Sequence, residues 1–147
     1  MTMAERPAIS AEEIERGALD GALDPASPQA QAAMALMDEY YRVWNAKDAE
    51  TLASRIYRLP PGRPLRTVDD FRRVLARTQA EGWDYSTLHG AQVFPWSDGA
   101  WLVRGLFNRF AADGRLLPPA DRLTAYVVAE FPEGLRITDL PLVYGRA

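Results

Sequence analysis

The feature that most constrains this chain is a change of hydrophobic period at Gly82 and Trp83. Before this point, apolar residues recur at spacings of three and four, as on one face of a helix. After it, they alternate with polar residues, as on a strand that is buried on one side. Gly82 favours the left-handed backbone that ends a helix. The sequence therefore predicts helices followed by a sheet.

Three helices are predicted from their start signals. Ser27 and Pro28 suit the first two positions of a helix over about residues 28–45, because the Pro28 nitrogen needs no hydrogen bond there. Asp48 is placed to cap a second helix and Thr67 a third. Turn residues at 97–99, 113–114 and 132–134 then divide the rest into four strands. We expect an α+β domain in which three N-terminal helices pack on a curved four-stranded antiparallel sheet and form a cone.

The domain organisation is simple. Residues 28–147 are expected to form one domain, and residues 1–27 an N-terminal extension. Ser10 and Glu13 have the spacing of a capping box, so the extension is either a short helix or a frayed tail.

Composition excludes several classes of function. The net charge of −3 offers no basic face for nucleic acid, and the lack of cysteine excludes disulfides and thiolate metal sites. There is no apolar run of the ~20 residues that a membrane span needs. Residues 1–9 lack the basic-then-apolar pattern of a signal peptide, so we expect a cytoplasmic location. No phosphate-binding loop or metal-binding helix motif is present, so no cofactor and no metal are expected.

Two segments carry a resemblance to a known family. The first runs from Tyr40 to Asp48 and includes Asn45, Ala46 and Lys47, and the second is residues 130–137. With the order of elements, they make residues 28–147 similar to the NTF2-like superfamily, which includes ketosteroid isomerase and the SnoaL-like polyketide cyclases. The resemblance implies a cavity that binds a small apolar molecule.

The resemblance matches the catalytic groups of ketosteroid isomerase only in part. Tyr40 stands eight residues before Asp48, where those enzymes place a proton-donating tyrosine. Their general-base aspartate would fall in residues 61–65, which contain no carboxylate, and their second oxyanion donor would fall at or beside Val127.

Candidate site residues follow from the expected inner face of the sheet. On the first strand the more apolar set contains Tyr85 and His89; on the third it contains Val127. For the second and fourth strands, the resemblance implies that Arg104, Asn108 and Tyr144 point inward. The predicted catalytic residues are His89, Tyr40 and Arg104, and the predicted ligand-binding residues are Trp44, Tyr57, Tyr85, Asn108, Val127 and Tyr144.

Each role has an alternative. His89 is the only histidine and could exchange a proton near neutral pH, or it could be a histidine held by one hydrogen bond. Tyr40 could donate to an oxyanion and Arg104 could hold a carboxylate, or each could serve packing or surface charge. The aromatic residues could line a ligand cavity or fill core volume.

Two functions therefore stay open. One is a SnoaL-like enzyme of the isomerase, cyclase or dehydratase type that works by acid–base chemistry. The other is a ligand-binding or assembly module without catalysis. In both cases we expect a homodimer through the outer face of the sheet. That face is predicted to be apolar through Trp101, Val103, Phe107, Tyr126 and Val128.

Overall fold

The computed structural model describes residues 21–59 and 67–144, with side chains described as far as residue 138. Helical segments precede the strands in this part of the chain. They are Pro28–Asn45 (α1), Ala49–Thr51 continued by the π-helical segment Leu52–Ile56 (together α2), and Val68–Ala80 (α3). The strands are Tyr85–Ser97 (β1), Ala100–Phe110 (β2), Leu116–Phe131 (β3) and Gly134–Tyr144 (β4). They pair antiparallel in sequence order, which confirms the predicted α+β class and four-stranded sheet.

The helices begin where the sequence predicts. The Ser27 side chain accepts a hydrogen bond from the first turn of α1, and Asp48 does the same for α2. Thr67 and Asp70 form a reciprocal capping box at the start of α3. Gly82 follows α3 with a φ of +99°, a backbone conformation that a side chain would strain. None of the described helices is long and apolar enough to cross a bilayer.

The helices pack on one face of the sheet, which we call the helix-side face. Its core includes Val103, Tyr126, Val128 and Ile137, packed with Phe71 of α3 and other helix residues. The opposite, or far, face carries a smaller buried cluster of Ala100, Leu102, Ala125 and Val127. The main core therefore lies between the helices and the sheet.

The predicted orientation of the second and third strands is wrong. Trp101, Val103 and Phe107 of β2 lie on the helix-side face, as do Tyr126 and Val128 of β3. The set predicted to form an outer dimer surface is therefore packed against the helices. The reason is that both strands are apolar on both faces, so alternation alone cannot choose which face is inside.

The predicted orientation of the first half of β1 is also wrong, because a β-bulge interrupts the strand. Leu88 pairs with Phe107 and Gly90 pairs with Leu106, which leaves His89 as the extra residue. Leu88 on one side of the bulge, and Ala91 and Val93 on the other, all pack into the core. A strict period of two cannot describe such a strand.

Residues 1–20 of the predicted N-terminal extension lie outside the described residues. The described chain enters along the edge of the sheet, where the Leu23 amide donates to the Val93 carbonyl at 2.7 Å. After α2, Tyr57 forms an isolated bridge to Ile137 of β4. That bridge carries Tyr57 onto the core side of the sheet.

Candidate functional site

An aromatic cavity of about 250 Å³ lies between α1, α3 and the helix-side face of the sheet. Three sides contribute rings: α1 supplies two tyrosines and a tryptophan, the segment after α2 a third tyrosine, and the sheet a phenylalanine and a tyrosine. The rings are those of Tyr40, Tyr41, Trp44, Tyr57, Phe107 and Tyr126, and Trp83, which stands just before β1, adds a seventh. Ligand sites are usually concave and mostly apolar, with a few directed polar groups, and this cavity has that character.

Asn45, the last residue of α1, anchors that helix over the sheet. Its side-chain amide donates to the Ser86 carbonyl at 2.9 Å, and its carbonyl oxygen accepts from the Ser86 amide at 2.8 Å. The Asn45 side chain thus pairs with β1 much as a strand would. Because Tyr41 and Trp44 stand on the same last turn of α1, this pairing also places their rings in the cavity.

The turn after α1 fixes one wall of the cavity. Lys47 has a φ of +57°, and its ammonium group donates to the Asp84 carboxylate at 3.1 Å and lies 4.9 Å from the centroid of the Trp83 ring. The Trp83 indole donates to the Ser86 hydroxyl at 2.8 Å. Trp83 and Ser86 both line the cavity. The hydrogen bond between them therefore helps to fix this part of the cavity wall.

Three phenols and one indole form a connected polar cluster in this aromatic wall. The Tyr126 hydroxyl donates to the Tyr40 hydroxyl at 3.0 Å, and the Trp44 indole donates to the Tyr57 hydroxyl at 3.4 Å. The Tyr40 ring lies 5.1 Å from that of Tyr126 and 6.0 Å from that of Tyr57. Burial, together with the neighbouring phenols, raises the pKa of Tyr40 well above its usual value, and burial likewise raises the pKa of Tyr57. Both hydroxyls stay protonated at neutral pH, so each keeps a proton that it can donate and neither acts as a base.

Tyr41 differs from the other phenols because its buried hydroxyl makes no hydrogen bond within the described part of the chain. Its ring lies 6.3 Å from that of Phe107, towards the end of the cavity where Arg109 stands. Burial raises the pKa of Tyr41, with Tyr126 acting in the same direction and the Arg109 charge opposing it. A buried, unpartnered hydroxyl costs stability, so a polar atom of a ligand would find a vacant donor here.

Three predicted site residues line the cavity: Tyr40, Trp44 and Tyr57. Most of the others do not, because they stand on strand positions whose side chains point to the far face. The displaced predictions are Tyr85, His89, Arg104, Asn108 and Val127. The side chain of Tyr144 lies outside the described residues.

His89 cannot act as an acid or base in this cavity. Its imidazole is partly exposed on the far face and lies 2.9 Å from the Asp121 carboxylate. Asn108 is part of the same surface group, since its side-chain oxygen accepts from the Asp121 amide at 2.7 Å. The predicted inward orientation of His89 is wrong because the bulge places this residue outside the alternation.

Sequence reasoning missed the residues that the sheet contributes to the cavity. These are chiefly Ser86, Phe107, Arg109 and Tyr126, together with Tyr41 of α1. Two signals could have found them. The His89-Gly90 pair in the middle of a strand marks a bulge, and large aromatic side chains repeat on the set of positions that contains Trp101, Phe107 and Tyr126.

Across residues 21–59 and 67–138, no group of three or more histidine, aspartate or glutamate side chains is placed to hold a metal ion. The described residues that line the cavity include no carboxylate and no imidazole; Arg109 is the one charged side chain among them. The cavity therefore offers donors: phenol and alcohol hydroxyls, an indole and a guanidinium.

No protein-family model and no curated protein matches this sequence. Solved structures do match it in fold. An NTF2-like superfamily protein from Salmonella enterica serovar Typhimurium is 17% identical, with a TM-score of 0.56 over 80% of this chain and 90% of that one. Aln2 from a Streptomyces species is 11% identical, with a TM-score of 0.59 over 81% and 92%. ActVI-ORFA from Streptomyces coelicolor is 15% identical, with a TM-score of 0.53 over 76% and 92%. These likenesses confirm the predicted NTF2-like, SnoaL-like resemblance at the level of the fold.

Proposed function

We propose that this chain, which has the NTF2-like fold, binds a small planar aromatic molecule that carries an oxygen acceptor. The rings of the cavity supply apolar surface, and the buried phenols supply hydrogen bonds to the ligand oxygen. The observation that carries the proposal is the cluster in which the Tyr126 hydroxyl donates to that of Tyr40 beside Tyr57. Phenols that were packed into a filled core would not line an open cavity of about 250 Å³.

Binding of 2-naphthamide, an uncharged planar probe with a carbonyl oxygen, tests the proposal by isothermal titration calorimetry. We expect one site per chain, and a loss of affinity of about threefold to tenfold in Tyr40→Phe or Tyr126→Phe, the range of one net hydrogen bond. Tyr85→Phe is the matched control, because Tyr85 stacks on Phe110 outside the cavity lining. No binding to the unaltered protein, or an equal loss in the control, would overturn the proposal.

A second candidate is catalysis in which a phenol stabilises an oxyanion, and the protonated state of Tyr40 favours it. A phenol whose pKa is raised stays protonated at neutral pH, so it has a proton to donate to a developing enolate. The described lining provides no base to remove the proton, so water or the substrate would have to do so. The uptake of deuterium at the α-carbon of 2-tetralone in heavy water tests this candidate. Equal rates with the unaltered protein and with Tyr40→Phe would eliminate it.

The homodimer predicted from the sequence stays a proposal, and its interface would have to lie on a different surface from the one first expected. The residues first expected to form it pack against the helices, and Leu102, Ala125 and Val127 of the far face are already buried within one chain. Sedimentation velocity at micromolar concentration checks the oligomeric state, and a monomer there would contradict the dimer. A cytoplasmic location likewise stays a prediction from the sequence.

A further inference from the structure

One end of the aromatic cavity is electropositive. Arg109 stands opposite Ser86 in the pairing of β1 with β2, and both residues line the cavity. Arg122 of β3 stands opposite Phe107, so its side chain leaves the sheet on the same helix-side face. Arg109 follows Phe107 by two positions on β2, which places both guanidinium groups on this face at the same end of the sheet.

Among the described residues, neither arginine forms an ion pair with an acidic side chain. Most of the described arginines on the helices do form one, such as Arg72 with Asp69 and Arg42 with Glu39. Arg109 instead lies 5.8 Å from the centroid of the Phe107 ring. One guanidinium nitrogen of Arg122 donates to the Pro118 carbonyl at 3.0 Å, which is a neutral acceptor.

Among the described residues, four buried side-chain polar atoms have no hydrogen-bond partner, and three of them lie on or against the helix-side face. These three are the Tyr41 hydroxyl, the Thr124 hydroxyl and Nε of Arg122, whereas the fourth, Oε1 of Gln92, belongs to the far face. Thr124 is only 1% exposed and alternates with Arg122 and Tyr126 along the helix-side face of β3. Buried polar groups normally find partners, so these three unmet groups leave hydrogen-bonding capacity unused on this side of the sheet.

The two positive charges also oppose each other. Burial lowers the pKa of Arg122 and repulsion from Arg109 lowers it further, while Glu81 acts in the opposite direction without coming within ion-pair distance. An anion between the two guanidinium groups would relieve that repulsion. Guanidinium groups bind planar carboxylates with two parallel hydrogen bonds, which suits an acidic group at the edge of an aromatic ring.

We propose that the natural ligand of the cavity is an aromatic acid, whose ring lies among the aromatic side chains and whose carboxylate binds between Arg109 and Arg122. The inference rests on the proposed function and names the ligand class for the same site. Tyr41 donates its free hydroxyl to the acid group. Where the aromatic ring carries a further oxygen at its other end, that oxygen meets the phenol cluster of Tyr40 and Tyr126, as in the proposed function.

A matched pair of probes separates this inference from the proposed function. 2-Naphthoate and 2-naphthamide have nearly the same shape and differ in charge. Calorimetry with the full chain is expected to show that 2-naphthoate binds about tenfold or more tightly than 2-naphthamide, because hydrogen bonds to charged groups are the stronger kind. Raising the ionic strength is expected to reduce the affinity for the acid more than that for the amide.

Arginine variants test which residues cause the preference for 2-naphthoate over 2-naphthamide. Arg109→Gln and Arg122→Gln are each expected to lower the affinity for 2-naphthoate about tenfold and to leave 2-naphthamide within about twofold. Arg77→Gln, on the exposed side of α3, is the charge-matched control and is expected to change neither. Circular dichroism and thermal unfolding show whether each variant is folded.

The possible results divide cleanly. Equal binding of the two probes would overturn the aromatic-acid inference and leave the proposed function standing. A preference for the acid that survives in both arginine variants would also overturn the inference, since the charge would then be recognised elsewhere. Failure of 2-naphthamide to bind would overturn the proposed function, and the inference with it.

Discussion

At the scale of single residues, the hydroxyl of Tyr41 differs from those of the other cavity phenols. Among the described residues it is buried without a partner, whereas Tyr40, Tyr57 and Tyr126 have hydrogen-bond partners among themselves and Trp44. A folded protein keeps such a group at a cost to its stability, and that cost is often found at sites that serve binding.

Tyr41→Phe is therefore expected to leave the free energy of unfolding unchanged, or to raise it by up to about 1 kcal/mol, in the ligand-free protein. The physical reason is that phenylalanine fills the ring position and removes the unmet hydroxyl. Urea unfolding followed by circular dichroism measures it. Tyr57→Phe is the control: it deletes the acceptor of the Trp44 indole and is expected to lose about 1 kcal/mol. A similar loss in both variants would show that Tyr41 has a partner in solution.

At the scale of elements, Gly105 of β2 makes the β1 bulge possible. A Cβ atom at this position would lie 2.9 Å from a terminal carbon of Leu88 and 3.0 Å from the Gly90 carbonyl oxygen. Those two residues flank the extra residue of the bulge. A side chain at position 105 would thus collide with the distortion that orients β1.

Gly105→Ala is expected to lower the free energy of unfolding by about 1–3 kcal/mol, because the backbone of the bulge has to move. Chemical denaturation measures the change. In a Leu88→Ala background, the side-chain contact is gone but the contact with the Gly90 carbonyl remains, so only part of the loss is expected to disappear. Full recovery in that background would place the whole clash on Leu88 and contradict the expectation.

The link between α1 and β1 gives a second prediction for an element. Asn45→Ala removes both hydrogen bonds to the Ser86 backbone and is expected to lower the free energy of unfolding by about 2 kcal/mol. Thr67→Ala, which removes one cap of α3, is the comparison and is expected to cost about 1 kcal/mol. An Asn45→Ala loss no larger than that of the cap would mean that packing alone holds α1 on the sheet.

The helices could be predicted from the sequence and the strand faces could not, for physical reasons. Ser27, Asp48 and Thr67 are local signals, since a cap acts within its own first turn. The face of a strand depends instead on what lies across the sheet. In β3, Ala125 and Val127 are as apolar and as buried as Tyr126 and Val128, and they lie on the opposite side.

The same contrast separates the residues of the candidate site that could be predicted from the sequence from those that could not. Tyr40, Trp44 and Tyr57 come from helical segments or the residue that follows one, and all three were predicted to line the cavity. His89 was misplaced because a bulge changes the face of every residue on one side of it. The face of Arg109 follows from pairing with Ser86, a contact between positions that are distant in sequence.

At the scale of the whole molecule, the buried phenols couple stability to alkaline pH. Burial raises the pKa of Tyr40, Tyr41 and Tyr57 in the folded state, while tyrosines of the unfolded chain ionise at about pH 10. Below that pH both states hold these protons and stability is unaffected. Above it the unfolded state loses protons that the folded state keeps, so folding becomes less favourable as the pH rises.

We therefore expect the free energy of unfolding to be flat from about pH 8 to about pH 9.5 and to fall above about pH 10. Urea titrations across that range measure it, and tyrosinate absorbance should show a fraction of the six tyrosines ionising only on unfolding. The variant Tyr40→Phe/Tyr57→Phe, which lacks two of the raised groups, is expected to show a shallower fall. Ionisation of all six tyrosines at about pH 10 in the folded protein would contradict the expectation.

The bulge at His89 also bears on how such a chain could change during evolution. Leu88 and Gly90 on either side of it already pair with adjacent residues of β2, so loss of the single codon for His89 would join the two halves of β1 into one uninterrupted alternation without turning any side chain to the other face. Ser86 would stay in the cavity wall and Asn45 would stay bound to it. One three-nucleotide deletion could thus remove the histidine beside Asp121 on the far face while the lining of the cavity stayed the same.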